Sequence, residues 1–552
     1  MKSTCRKHRR SSLGSAVSCA ALLDFSSAAG AASLTTAARD GDVTAVRAQL
    51  AAGADANQVE SDGSSALLWA AYQSSTELVA LLLANGADPN RANEFGVTPL
   101  LQASRNGDVE TMRALLDGGA EVVRAVRDGE TPLMAAARTG NADAVQLLLE
   151  RGSDPNGVET LGGQSALMWA SAEGHLSVVD ALLRAGADPN LKSRTSELTK
   201  RSPRTDFPSG GFTALMWAAR DGQEAMVRRL VDGGADIKLT NGDGATAMML
   251  AIVNDRYDMA ATLLTLGADA NDGSLWYAVE MRDAPTDWRA RDGSRLRPDH
   301  PNSLTGLDLV ERLLAAGADP NKPFTGQMHN ASMCCDTKGA GTPFYRAAVA
   351  ADVDALRLLI GRGADLEWAP APVEGACDGR HDLGAASRGH GADLEWTPKP
   401  VEGAPPMPFG DTTGLTPLMV AINGGKGLLM AGGPGDIRES KVGIWREPGD
   451  RDPANAVKLL LAAGANPNTV SPKGDTALHI AAHDGKLGPL RELVAGGADS
   501  NARDKEGKTA LELVETMKPR VLDPIAEMVG IFDDGAPPAE TAAYLRKLLA
   551  AR

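Results

Sequence analysis

Apolar residues in this chain fall in short clusters with helical spacing, separated by small and polar punctuation. Between Val109 and Asp117, Met112, Leu115 and Leu116 lie three and four positions apart on one helical face. A shorter apolar segment, Leu100 to Asn106, precedes it and stops at Gly107. Thr98 stands where its hydroxyl can accept a free backbone N–H, and Pro99 occupies the first helical position, where a missing N–H costs little. Thr131, Thr342 and Thr416 are placed in the same way. The second helix ends at Gly118-Gly119, and the Asp-, Asn- and Gly-rich stretch that follows reads as a turn or hairpin. Isolated helices shorter than about 12–15 residues are marginal in water, so each pair must bury its apolar face on a neighbour.

This pattern repeats along the chain. A Gly-Ala-Asp-x-Asn string, with small variations, begins at Gly53, Gly86, Gly119, Gly152, Gly186, Gly234, Gly267, Gly317, Gly363, Gly464 and Gly497. The successive spacings are 33, 33, 33, 34, 48, 33, 50, 46, 101 and 33 residues. A second string, Gly-x-Thr/Ser-Pro/Ala-Leu, recurs between these markers, as at Gly96–Leu100, Gly129–Leu133 and Gly474–Leu478.

The stretches Glu130-Thr131-Pro132-Leu133-Met134-Ala135-Ala136-Ala137-Arg138-Thr139-Gly140 and Val145-Gln146-Leu147-Leu148-Leu149-Glu150-Arg151-Gly152-Ser153-Asp154-Pro155-Asn156 closely resemble the ankyrin repeat. The resemblance implies an all-α solenoid of about eleven helix-turn-helix-hairpin units with loop inserts and a C-terminal helical cap. One departure concerns the histidine that the family carries after Thr-Pro-Leu. Only His479 keeps it; Leu68, Met134, Met168, Met216 and Met419 stand elsewhere, so histidine-mediated bonding between repeats is expected only at His479.

The expected organisation is a signal segment at 1–32, regular repeats at 33–272 and irregular repeats with long inserts at 273–413. Repeats with one inter-helix insert follow at 414–510, then a helical cap at 511–552. Three inserts (191–210, 322–340 and 368–413) follow the Asp-x-Asn turn, and two (about 282–304 and 424–453) separate the helices of a unit. Gly363–Ala376 and Gly391–Ala404 agree at 12 of 14 positions, a local duplication whose intervening Cys377–His390 reads as a loop.

Composition then narrows the function. At 552 residues the length suits three or four globular domains, but the period replaces them with one extended stack. Only 4% of residues are aromatic, which fits thin cores of Ala, Leu and Val. The net charge of −15 argues against nucleic acid or an anionic membrane as the main partner. No apolar run is long enough to span a membrane. Lys2, Arg6, Lys7, Arg9 and Arg10, followed by a Ser/Ala-rich stretch and Ala29-Gly30-Ala31, read as an export address, although Asp24 interrupts the apolar region. Arg9-Arg10 also suits a twin-arginine signal. The expectation is a periplasmic or secreted chain, with a cytoplasmic one as the alternative.

Candidate chemistry is sparse. His329, Cys334, Cys335, Cys377, His381 and His390 share two inserts, but no Cys-x-x-Cys pair exists to mark a zinc site. A disulfide between Cys377 and Cys334 or Cys335 is the reading that export favours. Gly424-Gly425-Lys426-Gly427 lacks the Ser or Thr that a phosphate loop needs after its lysine. Neither a Gly-x-Ser-x-Gly elbow nor a His-Glu-x-x-His helix occurs. Trp69, Trp169 and Trp217 share one repeat position and are expected to fill space between repeats. Arg39, Tyr72, Arg105, Arg138, Arg220 and His483 share another, which could form a basic or aromatic strip.

The resulting expectation is a monomeric, cofactor-free, non-catalytic scaffold that binds an unidentified protein. The resemblance implies contact through hairpin tips and the exposed first helices on a concave face. Phe95, Arg105, Arg138, Glu173, His175, Arg220, Asn241 and His483 are the candidate contact residues. Two alternatives are an enzyme or metal-binding accessory built on the Cys/His inserts at 321–413, and a host-directed secreted effector.

Overall fold

The computed structural model describes residues 33–122, 126, 128–195, 210–242, 244–282, 302–324, 341–370, 414–422, 449–517 and 535–551. Within them helices come in pairs, odd-numbered first and even-numbered second. Units 1 to 4 are α1 (Leu34–Arg39) with α2 (Val43–Ala51), α3 (Ala66–Tyr72) with α4 (Thr76–Ala84), α5 (Pro99–Asn106) with α6 (Val109–Asp117), and α7 (Pro132–Thr139) with α8 (Ala142–Glu150). Units 5 to 8 are α9 (Ala166–Glu173) with α10 (Leu176–Arg184), α11 (Ala214–Arg220) with α12 (Glu224–Asp232), α13 (Ala247–Val253) with α14 (Tyr257–Thr265), and α15 (Ser274–Met281) with α16 (Gly306–Ala315). Units 9 to 12 are α17 (Pro343–Val349) with α18 (Val353–Ile360), α19 (Pro417–Ala421) with α20 (Pro453–Ala462), α21 (Ala477–His483) with α22 (Leu487–Ala495), and α23 (Ala510–Thr516) with α24 (Pro538–Ala550).

Local chemistry sets these bounds. Thr98 Oγ1 accepts from the Leu101 N–H at 3.2 Å and Thr131 Oγ1 from the Met134 N–H at 3.3 Å, each with proline at the next position. Six of the second helices start on Asp42, Ser75, Asp108, Asn141, Asp352 or Asp452, whose side chains accept N–H groups of the first turn. First helices pack on first helices and second on second, as α3 does on α1 and α5, and α4 on α2 and α6. The seam is small and aliphatic: Ala70, Ala71, Ala103 and Ala136 are buried beside Leu67, Leu100 and Leu133. Such thin layers explain why so few aromatics are needed.

The Asn of the turn string does more than turn the chain. Asp88 Oδ1 makes the turn by accepting the Asn90 N–H, while Asn90 donates to Gly119 O at 3.0 Å and accepts the Glu121 N–H at 2.8 Å in the next unit. The same double bond crosses the inserts: Asn190 reaches Gly234 and Asp236, Asn271 reaches Gly317 and Asp319, and Asn321 reaches Gly363 and Asp365. Beyond the longest insert Glu367 takes this place, accepting from Asn466 N–H and Thr469 Oγ1–H. The stack is therefore continuous through each insert. His479 bonds Thr476 Oγ1 at 2.8 Å and Lys508 O at 3.1 Å through its two ring nitrogens, joining units 11 and 12. At the C-terminal end α23 and α24 form a last helix pair that packs on α21 and α22.

Units 8 to 10 carry a set of buried charges. Arg282, after α15, donates to Asp352 Oδ2 at 2.7 Å and Oδ1 at 3.2 Å, and both side chains are only 1% exposed. Arg451, before α20, pairs with the same carboxylate. Burial pushes the Asp352 carboxyl up, but the Arg282 hydrogen bond, the Arg282 and Arg451 charges and the Ala355 N–H outweigh it, leaving the carboxyl below the usual aspartate value. Beside this triad, Arg346 of α17 pairs with Glu280 of α15. The triad thus ties three successive units where two inter-helix inserts leave the stack.

Candidate protein-binding surface

The exposed ends of the first helices form a row, which the hairpins (fingers) between units flank. Arg39, Tyr72, Arg105, Arg138, Arg220 and His483 do share one register along it, as the spacing predicts. The basic strip expected from them is neutralised. Arg39 meets Glu60 at 3.2 Å, Arg105 pairs with Glu130, and Arg138 lies 3.6 Å from the same Glu130. Arg220 makes a bidentate pair with Asp221 at 2.9 and 3.0 Å, and His483 Nδ1 sits 2.8 Å from Asp484. The acidic partners of Arg39, Arg105 and Arg138 belong to fingers, so these pairs join helix ends and fingers into one surface.

The tryptophans belong to this surface too. Trp69, Trp169 and Trp217 are half-buried rather than enclosed. The Arg39 guanidinium lies 5.8 Å from the Trp69 ring centre, Arg138 lies 5.2 Å from Trp169, and Arg220 lies 4.4 Å from Trp217. Tyr72, 57% exposed, packs edge-on against Trp69 at 5.7 Å. Among the described residues the indole Nε1–H of all three tryptophans lacks a hydrogen-bond acceptor. In units 8 and 9 the motif changes sign: Glu280 stands in the arginine register and Arg346 in the tryptophan register, and the two form the buried pair described above.

The other candidates divide. Phe95 is 66% exposed at a finger tip, its N–H donated to Asn93 Oδ1 at 3.1 Å. Glu173 is exposed at the end of α9. His175 is half-buried and bonds Arg138 O through Nε2 at 3.0 Å, which makes it a tie between units 4 and 5. Asn241 is 7% exposed, and its Oδ1 accepts the Ala245 N–H at 2.8 Å to close its own finger. The sequence reading missed Leu161, 71% exposed at the tip of a finger that Glu159 holds by accepting N–H groups of Leu161, Gly162 and Gln164. Its signal was available, an aliphatic residue between Thr160 and Gly162 in a polar turn.

Cys334, Cys335 and Cys377, with the histidines near them, lie outside the described residues, so the disulfide and metal readings have no geometry here. Among the described residues no group of three or more His, Cys, Asp or Glu is placed to hold a metal ion. No helix among them is long and apolar enough to cross a membrane.

Stacked helix pairs, each followed by a finger and joined by Asn bridges, define a helical repeat protein. The family model described as ankyrin repeats (3 copies) matches residues 34–126, 123–193, 197–274 and 450–514, more than half of the chain. The chain belongs to the ankyrin repeat family, whose members generally serve as non-catalytic protein–protein interaction modules. It is similar to the Neurogenic locus Notch protein of Drosophila melanogaster, with 35% identity over 99 residues, or 18% of this chain and 3% of that protein. It is also similar to the B-cell lymphoma 3 protein homolog of Mus musculus, with 32% identity over 189 residues, or 33% of this chain and 41% of that protein. The chain therefore spans less than half the length of either relative. The crystal structure of the human ASB11 ankyrin repeat domain aligns at 25% identity over 43% of this chain and 97% of that one, with a TM-score of 0.36.

Proposed function

We propose that the chain is a non-catalytic scaffold that binds a partner protein through the first-helix row and fingers of units 1 to 6. The observation that carries this reading is the run of guanidinium–indole stacks at Arg39, Arg138 and Arg220, together with the exposed side chains of Phe95, Leu161 and Tyr72. Aromatic and arginine side chains supply most of the binding energy at protein interfaces, and a rigid stack loses little ordering entropy on docking. Because carboxylates already neutralise the arginines, the partner need not be acidic; it needs apolar groups that pack on the exposed aromatic and aliphatic side chains. The basic start and Ser/Ala-rich stretch at 1–32 support export of this scaffold.

The test is affinity capture of a partner on the full chain, repeated with Phe95→Ala, Leu161→Ala and Arg138→Ala combined. Loss of retention with unchanged helical signal supports the reading. Unchanged retention would sink it.

A further inference from the structure

We propose that a gap in the finger row between units 7 and 8 is a docking slot for an extended segment of a partner protein, which takes the place of a missing finger. This rests on the reading of the chain as a protein-binding scaffold, at a place beyond the row of units 1 to 6.

The gap is visible in the chain lengths. From the turn glycine to the first leucine of the next helix the chain takes fourteen steps at Gly86–Leu100 but only eight at Gly267–Leu275. At four other junctions among the described residues neighbouring fingers touch through single backbone hydrogen bonds. Glu94 N–H donates to Asp62 O at 2.9 Å, Thr160 to Asp128 at 2.8 Å, Arg194 to Gly162 at 2.7 Å and Gly242 to Gly210 at 2.9 Å. The finger glycines record how close this approach is. A Cβ on Gly129 would lie 2.7 Å from Thr160 N, one on Gly163 would lie 2.8 Å from Arg194 N, and one on Gly211 would lie 2.8 Å from Gly242 N. A Cβ on Gly244 would meet nothing within 4 Å, because no finger follows it.

What lies there instead is a cleft of about 410 Å³. Gly244, Thr246, Asp272, Trp276 and Phe324 line it. Trp276 and Phe324 stack at 5.5 Å and 26° to give it a flat apolar wall. Trp276 is 8% exposed, yet its indole Nε1–H has no hydrogen-bond acceptor among the described residues. An unmet buried donor costs about 1–3 kcal/mol, which an incoming acceptor recovers. Asp272 supplies the opposite character. Its carboxylate accepts Thr246 Oγ1–H at 2.5 Å and the Ser274 N–H at 2.8 Å, and burial raises its pKa.

A slot that offers a buried N–H donor, a carboxylate acceptor and an aromatic wall complements a backbone amide with a small or aromatic side chain. The fingers that fill the equivalent spaces elsewhere in the row are such segments. The occupant is therefore an extended, finger-like stretch of a partner, bound by backbone addition to a protein edge.

The experiment uses the full chain with 15N-labelled tryptophan and a synthetic peptide of residues 89–98, a finger of this protein. Trp276→Phe assigns the Trp276 indole resonance. The expected result is a saturable shift of that resonance on adding peptide. Affinity, read by anisotropy of the labelled peptide, falls roughly tenfold in Trp276→Phe, the size of one buried hydrogen bond. Gly244→Asn is the second variant, because asparagine tolerates the left-handed backbone there (φ +80°) and its side chain enters open space. It is expected to weaken the peptide with the helical signal intact, which keeps the test decisive if Trp276→Phe fails to fold. No shift at millimolar peptide, or an equal shift with a scrambled peptide, would each overturn the slot. None of these outcomes bears on capture through Phe95, Leu161 and Arg138, so the two readings fail separately.

Discussion

Removing the Asp352 carboxylate should divide the stack. In the folded chain this group holds Arg282 at 2.7 and 3.2 Å and also pairs with Arg451, with almost no solvent access. Asp352→Ala leaves two guanidinium groups without their buried counter-ion, a loss of about 3–5 kcal/mol for a broken buried pair. It also removes the cap in which Asp352 Oδ1 accepts the Ala355 N–H at 3.1 Å, worth about 1 kcal/mol more. A total of roughly 4–6 kcal/mol is comparable with the stability of a whole small domain. This cost falls on the interfaces between units 8, 9 and 10, which the triad joins. The assay is urea unfolding followed by circular dichroism, with hydrogen exchange resolved by segment. Asp352→Ala should convert a late transition into two, with residues 341–370 and 449–517 exchanging first. Asp352→Asn retains a capping oxygen and should recover about 1 kcal/mol of the loss. The pH dependence has a fixed sign. The folded pKa lies below the unfolded one, so the contribution is present at neutral pH and is lost as pH falls below the ordinary aspartate value of 3.8 through the folded pKa. A single, unshifted transition in Asp352→Ala would refute the reasoning, as would a destabilisation that does not shrink in acid.

Three further outcomes follow from the same geometry. Gly129→Ala places a Cβ 2.7 Å from Thr160 N and should cost well over the ~1–2 kcal/mol that a left-handed alanine alone costs at the open Gly244; chemical denaturation of both variants gives the comparison, and equal costs would contradict the finger contacts. His479→Ala should lose about 1–3 kcal/mol and raise exchange in unit 12, because Thr476 and Lys508 O lose a shared buried partner. Trp69→Ala should cost less than the ~3–5 kcal/mol of an enclosed tryptophan, since the ring is half-exposed beneath Arg39; a loss in that full range by thermal unfolding would show it to be a core residue.

The helices were legible because their signals are local. Val109–Asp117 follows from a cap, a spacing and a closing glycine that lie within one turn of its ends. The functions of the Asn and Arg residues were less legible, because their partners stand in the next unit. Asn90 reads as a turn residue until Gly119 O and the Glu121 N–H are brought to it. Arg105 and Arg138 read as a basic strip until the fold places Glu130 between them. Asp352 gave no signal, since 70 and 99 residues separate it from Arg282 and Arg451. The missing finger was legible in the short step from Gly267 to Leu275, but a loosely matched region hid it. Exposure decided the rest: Phe95 and Asn241 are both finger residues, and only burial separates the free side chain from the one that closes its own loop.

The most direct test of the central claim is a hydrogen-exchange footprint of the full chain with and without its captured partner. Protection is expected at the fingers around Glu60, Phe95, Glu130 and Leu161 and at the C-terminal ends of α1, α3, α5 and α7. Protection confined to the second helices α2, α4, α6 and α8 would contradict it.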